Sequence, residues 1–445
     1  MQTQRDHVHA YQFLMGRMSS ALVLGDPASP EVPARRASTG VVFGLVLAVL
    51  IAIGFGVYGL LVPGGNTAWQ ARGAIVVEEE SGTRFVNVGG VLHPTPNYAS
   101  AKLLQGPKGG PDVEMLSRAS LAAAPRGVPM GIPDAPQNLP AADELLGSSW
   151  LACLPEPGAG RDLSLNFDPS APTAPLRADR YSLVAAEDGA QYLLLGGAKL
   201  RVADPAATVA LGMAAVRPPV APRAWLDAVP DGPVLAPAAL DGAGSPGPAV
   251  DGAAHPVGQL FEQRAANGDV QRFVLRNDGL APLNGTEFML LDAVGSTDPV
   301  RVGAAAVAAA PRSADRSLTQ RLPELSDARW RDPGGDALCL RQRPDGPVVR
   351  SEVVFTGSRV GSIPGVHLPP AGGLVVGAVP LPPGQRKPDR YLISEGTKYL
   401  LPDDDSMKAL GLGGAPVRPF DAALLDEVPS GPPLSTASAG AIRKG

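Results

Sequence analysis

The chain has 445 residues, of which 18% are charged and 5% aromatic, and a formal net charge of −5. With no strong basic field, it is not expected to hold nucleic acid as its main ligand. Gly (53) and Pro (48) together make 101 residues, a share that a GC-rich genome would also produce, and the length allows two or more domains.

The first element is an arm, residues 1–39. Val8, Tyr11, Leu14, Met15, Met18, Ala21 and Leu22 fall at helical spacing, with Arg5, Gln12 and Arg17 elsewhere. Asp26-Pro27 is expected to end that helix. An amphipathic helix on an arm too small to fold alone needs a partner, either the membrane surface or another protein. Only two basic residues lie within it, which points to a protein.

The next segment, 40–62, contains no Asp, Glu, Lys, Arg, Asn, Gln or His. A helix of that length reaches ~34 Å at ~1.5 Å per residue, enough for a hydrocarbon core of ~30 Å. One membrane crossing is expected. Arg35 and Arg36 precede it, whereas Glu78, Glu79 and Glu80 follow, so the arm should be cytoplasmic and the body outside. The alternative, a cleaved signal peptide, fits less well: the run is too long, starts too late and lacks a clean small-x-small site. Within the run Gly40, Gly44, Ala48, Ala52 and Gly56 recur every fourth residue. Such a stripe lets a second helix approach closely, although general Gly/Ala abundance would also produce it.

After a linker, 63–72, the chain repeats itself. Gly189-Ala190-Gln191-Tyr192-Leu193-Leu194-Leu195-Gly196-Gly197 lines up with Gly82-Thr83-Arg84-Phe85-Val86-Asn87-Val88-Gly89-Gly90. A third copy starts at Arg272-Phe273 and a fourth at Gly396-Thr397-Lys398-Tyr399. Each is expected to open as a short strand and turn. The second and fourth also share an ending, Ala224-Trp225-Leu226-Asp227-Ala228-Val229-Pro230 against Ala423-Leu424-Leu425-Asp426-Glu427-Val428-Pro429. It reads as one helical turn stopped by proline. The third copy is degenerate at its end.

The expected division is repeat 1 at 73–136, repeat 2 at 180–240, repeat 3 at 256–312 and repeat 4 at 386–436. Segments 137–179 and 313–385 between them would form one β-rich central domain. Residues 241–255 read as a linker and 437–445 as a flexible tail. Cys153 and Cys339, the only cysteines, fall in the two central segments. In an oxidising compartment they have a single connectivity, so a Cys153–Cys339 disulfide is expected; two free buried thiols are the alternative. The fold class is α+β, with a single N-terminal transmembrane helix and an elongated extracytoplasmic body.

Chemistry is sparse. The patterns GxxxxGK[ST], GxSxG and HExxH do not occur, and Gly196-Gly197-Ala198-Lys199 lacks both the spacing and the hydroxyl of a phosphate loop. His7, His9, His93, His255 and His367 are scattered. Asp403-Asp404-Asp405 could bind a cation but reads more simply as a solvated acidic turn. No catalytic, cofactor or metal residues are assigned.

The arm Gln4-Arg5-Asp6-His7-Val8-His9-Ala10-Tyr11-Gln12-Phe13-Leu14-Met15-Gly16-Arg17-Met18, followed by one membrane helix, resembles the start of EccB proteins, membrane components of the type VII (ESX) secretion system. Gly89-Gly90-Val91-Leu92-His93-Pro94, Asn97-Tyr98-Ala99-Ser100-Ala101-Lys102-Leu103-Leu104 and Pro125-Arg126-Gly127-Val128-Pro129-Met130-Gly131-Ile132-Pro133 extend the match, as does the paired-cysteine layout. The resemblance implies an inner-membrane core built with an EccC-like ATPase, EccD and EccE, a mycosin protease beside it, and a self-associating outer body. Some members carry an ATPase label, which this sequence does not support with a nucleotide motif. The expected function is a structural secretion subunit. The alternatives are an extracytoplasmic ATPase or cell-wall-acting enzyme, or an anchored cell-wall-binding module.

Overall fold

The structure is a computed structural model and describes residues 4–25, 33–61, 65–156, 162–167, 170, 172–357, 360 and 363–441. Two long helices come first, α1 (Gln4–Leu24) and α2 (Pro33–Leu61). The stretch Ser38–Gly59 of α2 is long and apolar enough to cross a membrane, and none of it is buried against protein. The expected stop at Asp26-Pro27 and the last residue of the apolar run, Val62, lie outside the described residues.

The first unit of the body holds β1 (Ile75–Glu78), β2 (Arg84–Val88), β3 (Val91–Thr95), α3 (Tyr98–Gln105) and β4 (Glu114–Leu116). The central strands β5 (Trp150–Cys153), β6 (Ser164–Asn166) and β7 (Thr173–Pro175) follow. The second unit holds β8 (Arg180–Ala186), β9 (Gln191–Leu195), β10 (Ala198–Val202), α4 (Pro205–Ala210), β11 (Val220–Ala221) and α5 (Arg223–Asp227). The third holds β12 (Leu260–Arg264), β13 (Val270–Arg276), β14 (Gly279–Leu283), α6 (Gly285–Val294), β15 (Val300–Arg301) and α7 (Ala304–Ala309). Next come β16 (Arg329–Trp330) and the central strands β17 (Asp336–Asp345), β18 (Val348–Gly357) and β19 (Gly365–His367). The fourth unit holds β20 (Gly373–Val379), β21 (Arg390–Ser394), β22 (Thr397–Leu401), α8 (Asp404–Ala409), β23 (Arg418–Asp421) and α9 (Ala422–Asp426), and α10 (Thr436–Gly440) closes the chain.

All four units share one topology. Three antiparallel strands are followed by a helix, and a fourth strand returns parallel to the first, giving the orders β3-β2-β1-β4, β10-β9-β8-β11, β14-β13-β12-β15 and β22-β21-β20-β23. The helix start is set the same way each time. Asn97, Asp204, Asn284 and Asp403 each accept a backbone N–H of the first helical turn through their side chain, satisfying a donor the helix cannot.

A return segment then bonds to the third strand on both sides of one residue. Leu92 N donates to Pro125 and Gly127 N to Leu92; Lys199 pairs likewise with Pro230 and Gly232, Leu280 with Pro311 and Ser313, and Lys398 with Pro429 and Gly431. The glycine has a steric cause. A Cβ at Gly127 would meet the His93 ring at 2.3 Å, and one at Gly431 the Tyr399 ring at 2.3 Å. In the third unit the facing residue is Ala281, and Ser313 fits. The ending that looked degenerate in sequence therefore makes the same two bonds.

Several boundaries differ from expectation. Each unit opens one strand earlier than the aromatic marker, because Phe85, Tyr192 and Phe273 lie on the second strand. In the fourth unit the equivalent residue is Tyr391, whereas Tyr399 sits on the third strand. Both strands of that hairpin carry an aromatic followed by aliphatics, so the pattern alone cannot set the register. The opening strand β20 precedes residue 386 and pairs with β21, not with the central sheet. Residues 241–255 are no free linker: Gly247 N bonds to His255 O, and Val250 is buried in the third unit's core. The tail is not free either up to Ala441, since Ala439 of α10 is fully buried beside α3 and α8; residues 442–445 lie outside the described residues. Trp69, in the expected linker, packs on the first unit's core, and its carbonyl accepts from Asn87.

The central sheet runs β19-β6-β5-β17-β18-β7, so its strands come from both halves of the chain. One apolar core joins one face of this sheet to units 2 and 4, through Trp150, Trp225, Phe420 and Leu424. A second core joins units 1 and 4 through Leu103, Ile132, Leu392 and Leu410. A third joins units 2 and 3 through Leu193, Met213, Leu290 and Leu325. The packing order is thus unit 1, unit 4, central domain, unit 2, unit 3.

Candidate assembly surfaces and junctions

The groups singled out from sequence chemistry have structural work. Lys199 does not face an anion-binding turn; its Nζ donates to Val229 O at 2.7 Å and pairs with Asp231 at 2.8 Å. Asp403 caps α8, Asp404 pairs with Arg390 at 2.5 Å, and Asp405 with Lys408 at 3.8 Å. His93 and His367 bond to the carbonyls of Val128 and Ile363, and His255 packs edge-on against Phe261. Among the described residues no group of three His, Cys, Asp or Glu could hold a metal. What the residues build is a set of junctions.

At the heart of the body, Cys153 and Cys339 are directly opposed on the antiparallel strands β5 and β17 and form a disulfide, with Cα atoms 3.9 Å apart. Both are fully buried. On the other face of β5, Trp150 stacks on Phe420 of unit 4 at 4.7 Å, and its Nε1 donates to Gln342 Oε1 at 2.9 Å. Trp225 of unit 2 is buried against the same sheet, and its Nε1 donates to Ala152 O at 2.9 Å. Each indole thereby buries a large apolar area and still pairs its one donor.

Units 2 and 4 approach this core in the same way, through α5 and α9, which touch each other. Their matched endings are those two helical turns. The residue at the third-strand position is Lys199 in one and Lys398 in the other. Lys398 Nζ donates to Leu425 O at 2.7 Å and pairs with Asp426 at 3.2 Å. Units 1 and 3, at the ends, carry Leu92 and Leu280 there instead. The sequence pattern does not assign the lysines this role, although each follows its Gly-containing turn at one offset in copies 2 and 4. The junction is rich in carboxylates. Burial raises Asp421 above the ordinary Asp range, with Asp227 of α5 adding to it. Burial likewise raises Glu427, with Glu187, Asp426 and Asp162 adding to it and Lys398 opposing.

Two further clamps lie beyond the reach of sequence patterns. Glu395 accepts from the backbone N–H groups of Gln137 and Asn138, fastening unit 4 to the segment after unit 1. Arg321 holds Glu287 of α6 by two bonds of 2.6 Å and reaches Ala236 O after unit 2.

The expected docking residues lie on open surface. Val8, Tyr11, Leu14, Met15, Met18 and Leu22 of α1 are each more than half exposed. On α2, a Cβ at Gly40, Gly44 or Gly56 would meet nothing. Their roles as docking and packing faces are taken up below as proposals.

A family model described as "Type VII secretion system ESX-1, transport TM domain B", an EccB model, matches residues 1–445. The chain belongs to the EccB family. Its similarity to an ESX-3 secretion system ATPase EccB3 of Mycolicibacterium smegmatis is 28% identity, covering 98% of this chain and 90% of that protein. An ESX-1 secretion system ATPase EccB1 of the same species is 27% identical, with 98% and 94% covered. Among solved structures, an intact ESX-5 inner membrane complex contains a chain of the same fold, with a TM-score of 0.61, 23% identity, and 100% of this chain and 96% of that one covered. An EccB3 dimer from the ESX-3 core complex gives a TM-score of 0.57 at 25% identity, with 82% and 99% covered. The family match spans the arm, the membrane helix and the body alike.

Proposed function

We propose that this EccB-family chain is a structural subunit of a type VII secretion membrane complex, held by one membrane helix and contributing an oligomeric scaffold or rim on the extracytoplasmic side. The observation that carries the reading is the match of the family model to residues 1–445. The form of the body supports it: the units and the central domain are joined through shared apolar cores, with Lys199, Lys398, Trp150 and Trp225 committed to the junctions. The arm would be cytoplasmic, following Arg35 and Arg36, which precede the apolar run of α2. Its apolar face would dock on a core subunit, and the stripe Gly40, Gly44, Ala48, Ala52 and Gly56 would pack on a neighbouring helix. The partners would be an EccC-like ATPase, EccD and EccE, with a mycosin protease nearby. The word ATPase in the relatives' names belongs to those proteins. In this chain the motor would be the EccC-like partner.

The test is to extract tagged full-length protein from its host in mild detergent and determine the particle size and co-purifying proteins. A large particle containing an EccC-like ATPase supports the proposal; a lone monomer or dimer sinks it. ATP turnover by the purified chain, abolished by one point change, would revive the enzyme reading.

A further inference from the structure

A groove of about 550 Å³ opens where the central domain meets unit 4. One wall is the β17–β18 turn, with Val348 and Val349. The other comes from unit 4, with Leu381, Pro388 and Val417. The size falls in the range of ligand and peptide clefts. Val348 is 53% exposed, Val417 38% and Leu381 37%, so solvated apolar surface is concentrated in one concave place. Asp421 supplies the one charged side chain of the lining. Its carboxylate caps α9 by accepting from Leu424 N at 3.1 Å, which leaves lone pairs for a second donor.

The neighbouring backbone offers a docking edge. Strand β18 pairs with β17 along its whole length, but with β7 only at Val354, Phe355 and Thr356. Among the described residues, 348–352 have no strand on that side. An edge of this kind accepts an extended chain by strand addition, and the flanking pockets choose the side chains.

We propose that this groove is a docking site for an extended segment of a partner protein, aliphatic in character and carrying one lysine or arginine that faces Asp421. Aliphatic and proline walls select apolar side chains. The one carboxylate of the lining disfavours an acidic segment and favours a cationic one. Burial and Asp227 both hold Asp421 above the usual Asp range, so a nearby cation also relieves the cost of its charge. The site does not depend on the secretion assignment, since it is built from this chain alone.

The experiment uses the full chain in detergent and two fluorescein-labelled heptapeptides of alternating Val and Thr, one centred on Lys and one on Glu. Binding is read by anisotropy at neutral pH. The expected result is saturable binding of the Lys peptide, at least ~10-fold tighter than the Glu peptide, a gap of about 1.4 kcal/mol. Val348→Ser and Val417→Ser should each weaken it several-fold, and both sites are solvated enough to spare the fold. Asp421→Asn, which keeps the helix cap, should abolish the preference for Lys while retaining residual binding. No saturable binding below millimolar peptide overturns the proposal, as does equal affinity for both peptides. Dimerisation of the unliganded chain that Val348→Ser and Val417→Ser abolish would overturn it in favour of a second copy. Displacement of the peptide by a dodecyl amine as effectively as by unlabelled peptide would overturn it in favour of a lipid chain.

Discussion

Reducing the Cys153–Cys339 bond should soften the middle of the body before its ends. The bond joins β5 to β17 and closes a loop with a sequence separation of 186 residues. Chain-entropy bookkeeping for such a loop gives ~5 kcal/mol, while native disulfides more often contribute ~2–4 kcal/mol. The loop contains units 2 and 3, which fold on their own sheets, so the lower range applies. At ~2–4 °C per kcal/mol, ~2–4 kcal/mol corresponds to a shift of about 4–16 °C. The assay is scanning calorimetry of the full chain with and without a phosphine reductant, beside the double variant Cys153→Ala/Cys339→Ala. The variant separates reduction from reagent effects. Because both sulfurs are buried, it also loses some packing and should melt no higher than the reduced wild type. Melting curves that coincide within ~1 °C for oxidised and reduced wild type would refute the reasoning, for the strand pairs alone would then hold the two halves together.

Trp225→Ala removes a fully buried indole and its bond to Ala152 O; a loss of about 3–5 kcal/mol is expected by chemical denaturation, against a smaller one for Trp225→Leu, which copies the fourth unit. Lys398→Met removes a buried charged donor from Leu425 O, which keeps Val428 N, while Asp426 stays solvated; the expected cost of losing that charge-assisted bond is about 1–3 kcal/mol, read by urea melts. Asp421→Asn should change the pH dependence of the melting temperature. An acid whose folded pKa is raised binds protons more readily in the native state, so its ionisation weakens the fold as pH rises from the ordinary Asp range through the raised value. The wild-type minus variant difference should therefore fall over that window, and a flat difference would count against the buried carboxylate.

Much of the fold was legible because it repeats. A motif that must satisfy the same turn several times leaves the same residues: a Gly-containing turn, an Asn or Asp before the helix, and Pro-x-Gly on return. The apolar run of α2 and the two cysteines were legible for simpler reasons, length without charge and a single possible pairing. Register in the fourth unit was not legible, since Tyr391 and Tyr399 head equally good strands and only pairing with β20 decides between them. The loop 241–255 and the tail looked free because Gly, Pro, Ala and Ser dominate them, yet burying Val250 and Ala439 needs only one small apolar side chain in each. Clamps such as Glu395 on Gln137 and Asn138 join residues about 258 positions apart, and a local pattern cannot express that.

The same arithmetic explains why four similar units make one strut rather than a solenoid. A regular solenoid needs each unit to present the same two faces to its neighbours. Here the helix after the third strand pairs α3 with α8 and α4 with α6, while the ending turns pair α5 with α9. Units 4 and 1 thus form one couple, units 2 and 3 another, and the couples meet back to back over the central sheet. Unit 2 therefore uses both of its faces, as does unit 4, and units 1 and 3 use one each. The outer units have no neighbour at the face where the inner ones use the buried lysine and the packing turn, and they carry Leu92 and Leu280 where the inner units carry Lys199 and Lys398.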